Sequence, residues 1–225
     1  MASILRQVEE WHKELGREGN QPSITWRHSS FKDYRLAVEF KWGRRNWRGR
    51  EGKARDGGIF LHATGPDGNS FDGGGAYRAA VECQVMQGAV GDLMLINGKR
   101  EDGSRVPVRL TADAAPGRDA DGWPTWRRGG TPVTLDKGGR LNWFGKDPAW
   151  KDALDFRGRR DVESPADQWT RVECACDGGT ITVAVNGTIV NEARNVTPSE
   201  GPILLQCEGS EIFFRKVELT PLSRR

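Results

Sequence analysis

A chain of 225 residues has room for one generous domain with a sizeable core. Its 34 Lys and Arg against 31 Asp and Glu leave a net charge of +3, too small to point to a nucleic-acid partner. No apolar run approaches the ~18 residues that span a bilayer, and residues 1–20 lack the apolar core of an export signal. The expectation is therefore no membrane contact and a cytoplasmic location as the chain stands, or a periplasmic or secreted one if its start was trimmed.

Ile4, Leu5, Val8, Trp11 and Leu15 recur at helical spacing, which predicts a short amphipathic helix over 1–20, ending near Gly16 and Gly19. Such a helix would dock on the rest of the chain or on a second copy, so a homo-oligomer stays open. From Ser23 the period changes to two. Ile24–Trp26 opens a strand, and Tyr34–Trp42 continues with Leu36, Val38 and Phe40 on one face and Glu39 and Lys41 on the other. The basic run 41–55, with seven Lys or Arg and two Trp, suits a solvated loop or a sugar-site rim as well as a polyanion surface.

Strands follow at Gly58–Ala63, Ala80–Gln87 and Gly91–Ile96, joined by Gly-rich connections. Between 97 and 167 the alternation loosens, and Trp123, Trp126, Trp143 and Trp150 are scattered among Pro, Gly, Asp and Arg. An insertion this long is expected to supply extra strands or a wall beside a site. Alternation returns at Trp169–Cys176 and Thr180–Val185; Asn186-Gly187 then turns a hairpin into Thr188–Glu192, and the last strands are Ile203–Glu208 and Glu211–Leu219. With 29 glycines for tight turns, the expected fold is all-β: a sandwich over 21–222, preceded by the helix.

Cys83, Cys174, Cys176 and Cys207 all fall in predicted strands and read as buried thiols, and no Cys/His spacing resembles a zinc site. Asn186-Gly187-Thr188 and Asn195-Val196-Thr197 match a glycosylation pattern but read as turn chemistry. By alternation His62, Glu82 and Gln84 share one polar strand face. If the strand carrying Glu39 and Lys41 lies in the same sheet, these groups form one polar floor; cross-strand salt bridges explain them equally. Gln206, opposite Ile203, Leu205 and Cys207, can reach the same surface. Trp42, Trp47, Trp123, Trp126 and Trp143 offer flat faces for a sugar ring, or serve as ordinary core aromatics.

Several stretches resemble one bacterial family, the 3-keto-disaccharide hydrolase domain, also called DUF1080. They are the run from Phe31 to Gly43, then Ala54-Arg55-Asp56-Gly57-Gly58-Ile59-Phe60-Leu61-His62, Val81-Glu82-Cys83-Gln84 through Gly91-Asp92, Gln168–Glu173, Val185-Asn186-Gly187, Gly201–Gln206 and Phe213–Val217. The resemblance runs over most of Phe31–Leu222, with the poorest match at 97–167. It implies a concanavalin A-like β-sandwich (jelly roll) and a carbohydrate substrate, a glycoside with a ketone at C3, made by a separate nicotinamide-dependent sugar 3-dehydrogenase. The ketone acidifies the C2 proton, so a base can form an enolate that expels the C1 group by β-elimination, with water adding afterwards for net hydrolysis.

That chemistry needs a base, support for the enolate oxygen and a proton donor for the leaving oxygen. His62 is expected as base or acid, and Glu82 as base or metal ligand. Glu39, Lys41, Trp42, Arg55, Gln84, Trp143 and Gln206 are expected to bind substrate, with Lys41 and Arg55 facing the enolate charge. No cofactor is demanded, although a divalent cation held by carboxylate and imidazole would stabilise an enolate, and Asp56 and Asp92 are candidates to serve one. The alternative is a non-catalytic carbohydrate-binding module on the same scaffold. A retaining glycosidase fits poorly, since no paired acidic motif stands on one strand.

Overall fold

The protein is described by a computed structural model for residues 23–25, 30–47, 49–70 and 77–222, and the helix expected over 1–20 lies outside them. Fifteen strands run through these residues. They are β1 (Ser23–Thr25), β2 (Tyr34–Asn46), β3 (Asp56–Thr64), β4 (Ala79–Met86), β5 (Leu93–Ile96), β6 (Gly98–Lys99), β7 (Arg105–Val106) and β8 (Arg109–Ala114). Then come β9 (Thr131–Leu135), β10 (Gly139–Leu141), β11 (Thr170–Asp177), β12 (Thr180–Val185), β13 (Thr188–Thr197), β14 (Leu204–Cys207) and β15 (Ser210–Pro221).

Two antiparallel sheets face each other, one of six strands in the order β1-β14-β3-β4-β5-β10, the other of seven in the order β15-β2-β11-β12-β13-β8-β9. The expected all-β, concanavalin-like sandwich is present. Its interior is the set the alternation selects: Leu36, Val38 and Phe40 from β2, Ile59 and Leu61 from β3, Val81, Cys83 and Val85 from β4, and Val172, Cys174 and Cys176 from β11 form one cluster. Each such side chain withdrawn from water contributes about 1.5–3 kcal/mol. The four cysteines are free thiols, three of them buried. Asn186 and Gly187 both take positive φ, 47° and 81°, as the hairpin turn between β12 and β13 requires.

The two sheets differ on their outer faces. Strands β11 and β12 alternate buried with half-exposed positions, so the outside of the seven-stranded sheet meets solvent. Every residue of β4, and all of β3 but Thr64, is buried, so the outside of the six-stranded sheet is covered. Part of that face is a second apolar cluster of Phe60, Ala63, Ala80, Ile96 and Leu204. The remainder is polar.

The segment 97–167 supplies the extra strands expected of it. Strands β8 and β9 extend the seven-stranded sheet and β10 extends the six-stranded one. The stretch after β10 then crosses the ends of β3 and β4, where Trp150 Nε1 donates to the Gln87 carbonyl at 2.9 Å and Arg55 Nη1 meets Asp155 Oδ1 at 2.5 Å.

Candidate functional site

Strand register orders the polar part of the covered face into rows. Leu204, Phe60, Glu82, Met94 and Arg140 stand side by side across β14, β3, β4, β5 and β10. The next row is Gln206, Gly58 and Gln84, and beyond it lie Glu208 and Asp56, joined by a 3.1 Å backbone hydrogen bond. Gly58 is a gap in the middle row. A Cβ there would fall 2.9 Å from Gln206 Oε1 and closer still to Glu82 Oε1, so the missing side chain lets a carboxylate and an amide converge over bare backbone. Glu82, Gln84 and Gln206 are each at most 5% exposed. Gln206 donates through Nε2 to Glu208 at 3.1 Å, while its Oε1, turned over the gap, has no hydrogen-bond partner. A buried acceptor left unpartnered costs free energy, which makes this position a candidate for a ligand's donor.

Asp56 borders the gap. Its Oδ1 accepts from Gln84 Nε2 at 2.8 Å, its Oδ2 lies 3.3 Å from Arg50 Nη1, and Ser210 Oγ accepts from its backbone N–H. Burial, with the charge of Glu208 second, pushes its carboxyl up to about 7 against the pull of Arg50 and Arg140. At neutral pH Asp56 is thus poised between donor and base. Arg50 is steadied in turn by Asp152 at 3.1 Å.

On the other flank, Asp92 is fully buried and accepts from Arg140 Nε at 2.6 Å, Lys146 Nζ at 3.2 Å and the Trp143 backbone N–H at 2.7 Å. Both cations sit over the Trp150 ring, at 5.7 and 4.7 Å. Burial lowers the Lys146 pKa even with Asp92 beside it. Arg140 Nη2 is buried with no acceptor.

Only part of the expected site assembles here. Glu82, Gln84 and Gln206 come together; His62 does not join them. A bulge between Leu61 and Thr64 gives His62 a left-handed φ of 54° and turns its ring out of the alternation. It packs edge-on against Tyr34 of the interior, 5.6 Å between centroids, with Nδ1 3.1 Å from the Pro198 carbonyl oxygen. Burial depresses its pKa to about 4, so it stays neutral at physiological pH.

Glu39 and Lys41 are on the opposite sheet, since β2 belongs to the seven-stranded one, and the single polar floor is not formed. Glu39 pairs there with Arg215, Arg171 and Lys216, the cross-strand salt-bridge arrangement, and Lys41 lies over the rings of Trp169 and Phe213. Trp42 and Trp143 are core aromatics at 4% and 2% exposure, and Trp126 joins the same interior. Arg55 is pinned in the crossing segment by Asp155. Among the described residues no three His, Cys, Asp or Glu side chains gather as a metal ion requires, and Asp56 and Asp92 are engaged by the partners above. These residues do not fit a cation.

The alternation of β3 pointed to this face, yet its decisive members were Asp56 and Gly58 rather than His62. The signal was there in Asp56-Gly57-Gly58: two glycines where a strand should carry side chains.

The family model described as the 3-keto-alpha-glucoside-1,2-lyase-like domain matches residues 9–220. The chain belongs to this family. Membership places it among carbohydrate-active proteins of the glycoside-cleaving kind. Comparison with curated proteins gives no match. Among solved structures, a Parabacteroides distasonis protein provisionally described as a glycosyl hydrolase is 14% identical over 92% of this chain and 85% of that one, TM-score 0.45. The carbohydrate-binding module CBM66 of Bacillus subtilis is 11% identical over 91% and 84%, TM-score 0.45. Sheep galectin-11 is 11% identical over 90% and 99%, TM-score 0.41.

Proposed function

We propose that this member of the 3-keto-alpha-glucoside-1,2-lyase-like family cleaves 3-keto-glycosides by β-elimination across C1–C2, with water addition giving net hydrolysis, downstream of a separate sugar 3-dehydrogenase. The observation that carries the reading is the pairing of a buried carboxylate, Glu82, over the Gly58 gap with a second carboxyl, Asp56, whose pKa is raised to about 7. A carboxyl that keeps its proton up to about pH 7 and a second carboxyl on the same sheet face can divide the work of acid and base.

In this arrangement the sugar lies over the Glu82 carboxyl and the Gln206 amide, which meet above the bare backbone of Gly58. Glu82 removes the C2 proton, and the electron pair moves into the C2–C3 bond to make an enolate at the C3 oxygen. Protonated Asp56, backed by the Arg50 guanidinium 3.3 Å away, donates a hydrogen bond to that oxygen. The enolate collapses, the C1–O bond breaks, and the leaving oxygen takes the proton that Glu82 removed from C2, which returns Glu82 to its carboxylate form. The product is a 1,2-unsaturated 3-keto sugar. The Gln206 acceptor over the gap takes a ring hydroxyl, and Gln84 holds Asp56 in place.

The purified protein should release the aglycone from a 3-keto-glucoside and leave the parent glucoside intact, followed by chromatography of both products. Sugar binding without turnover of either compound would make it a carbohydrate-binding module instead.

A further inference from the structure

A cavity of about 360 Å³ opens beside the site, over β5 and β10, lined by Met94, Ile96, Asn97, Trp123, Gly139 and Arg140 among others. Met94 stands next to Glu82 in its row, one strand away, and Arg140 follows it. The Glu82 carboxyl lies over Gly58 on β3, so Met94 on β5 stands two strand spacings away, roughly 10 Å, a span that the glycosidic oxygen, a short linker and a ring can cover. With the ketone directed at Asp56 on the opposite side of Glu82, the C1 substituent points into this cavity.

The lining favours one class of occupant. Met94, Ile96 and Trp123 give it an apolar surface. Asn97 Oδ1 already accepts from Arg105 at 2.8 Å, and Arg140 Nε is held by Asp92. A second sugar unit would bury hydroxyls with few partners, at a penalty for each one left unmade. An aromatic group carries no such penalty and gains from the Trp ring and the Met94 sulfur.

Trp123 is fixed in advance. Its backbone N–H donates to Asp119 Oδ1 at 2.7 Å, Asp119 Oδ2 accepts from Asn142 Nδ2 at 2.7 Å, and Lys146 Nζ donates to Asn142 Oδ1 at 2.7 Å. Its ring lies against Gly139, where a Cβ would come within 2.9 Å. A preorganised aromatic wall loses little entropy when a ligand ring settles on it.

We infer that this cavity is the leaving-group subsite and that it selects 3-keto-glycosides of aromatic aglycones; the inference rests on the elimination reading above. The test compares kcat/KM for 3-keto-2-phenylethyl and 3-keto-ethyl glucosides, whose leaving alcohols are alike in chemistry and differ in the ring. The wild type should prefer the phenylethyl compound by about 30-fold or more, Trp123→Ala should bring the ratio near unity, and Trp123→Phe should restore most of it. A ratio near unity in the wild type, or one unchanged in Trp123→Ala, overturns the subsite while leaving elimination intact. No turnover of either compound by the folded wild type overturns both.

Discussion

Adding one methyl group at Gly58 separates a catalytic role for the gap from a structural one. A Cβ at this position would meet the Glu82 carboxylate and come 2.9 Å from Gln206 Oε1, both side-chain ends, whereas at Gly57 it would lie 2.7 Å from the backbone oxygen of Gln206. The Gly58→Ala protein can relieve its clash by moving Glu82 off the gap, and a displacement of about 1 Å at a reacting group costs on the order of 10²-fold in rate. Overpacking of about 1–3 kcal/mol is opposed by the smaller chain entropy of Ala, worth about 0.4–1 kcal/mol, so net destabilisation stays near 1–2 kcal/mol. Gly57→Ala has no side chain to push aside, so it should lose more stability than Gly58→Ala. Steady-state turnover of a 3-keto-glucoside alongside urea denaturation reads both quantities. A folded Gly58→Ala enzyme working at the wild-type rate would refute the placement of the sugar over this gap.

The acid role of Asp56 gives kcat/KM an alkaline limb near pH 7, because the proton is lost as pH rises through that value. Arg50→Met removes a cation that favours the carboxylate, so the limb should move to higher pH; a pH–rate profile indifferent to this change would dismiss Asp56 as the donor. His62 acts on stability instead. The folded ring resists protonation down to about pH 4 while the unfolded one accepts a proton near 6.5, so a contribution of about 3 kcal/mol, complete above pH 6.5, drains away as pH falls toward 4. Denaturation of His62→Gln across that window should show a shallower loss than wild type, and equal slopes would contradict its buried neutral state. Asp92→Ala leaves Arg140 and Lys146 without their shared carboxylate and should cost about 3–5 kcal/mol, measured by chemical denaturation, with a change below 1 kcal/mol speaking against the buried cluster.

Periodicity of two identified most strands and the interior almost residue by residue, because a sandwich interior obeys alternation wherever one strand face meets solvent. Glu82, Gln84 and Gln206 could be placed on one face of their strands because polar and apolar residues still alternate there, although that face is buried as well. His62 was not: a single bulge shifts the parity of every residue after it, and nothing in Leu61-His62-Ala63 announces one. Glu39 and Lys41 failed for a topological reason, since alternation assigns a face within a strand but does not say which sheet the strand joins. The importance of Arg140, Asp92 and Lys146 depends on pairings between residues as much as 54 positions apart, which no local pattern carries. Trp123 differs from Trp126 and Trp143 only in where its part of the segment 97–167 lands; those two, and Trp42 of β2, are consumed by the interior.

The most direct test of the account is the rate of aglycone release from a 3-keto-glucoside by the Glu82→Gln protein, with and without deuterium at C2. The wild type should show a primary isotope effect. Glu82→Gln should lose roughly 10²-fold or more in turnover while keeping its fold and its sugar binding. Wild-type turnover in Glu82→Gln would remove Glu82 as the base and contradict the elimination mechanism built on it.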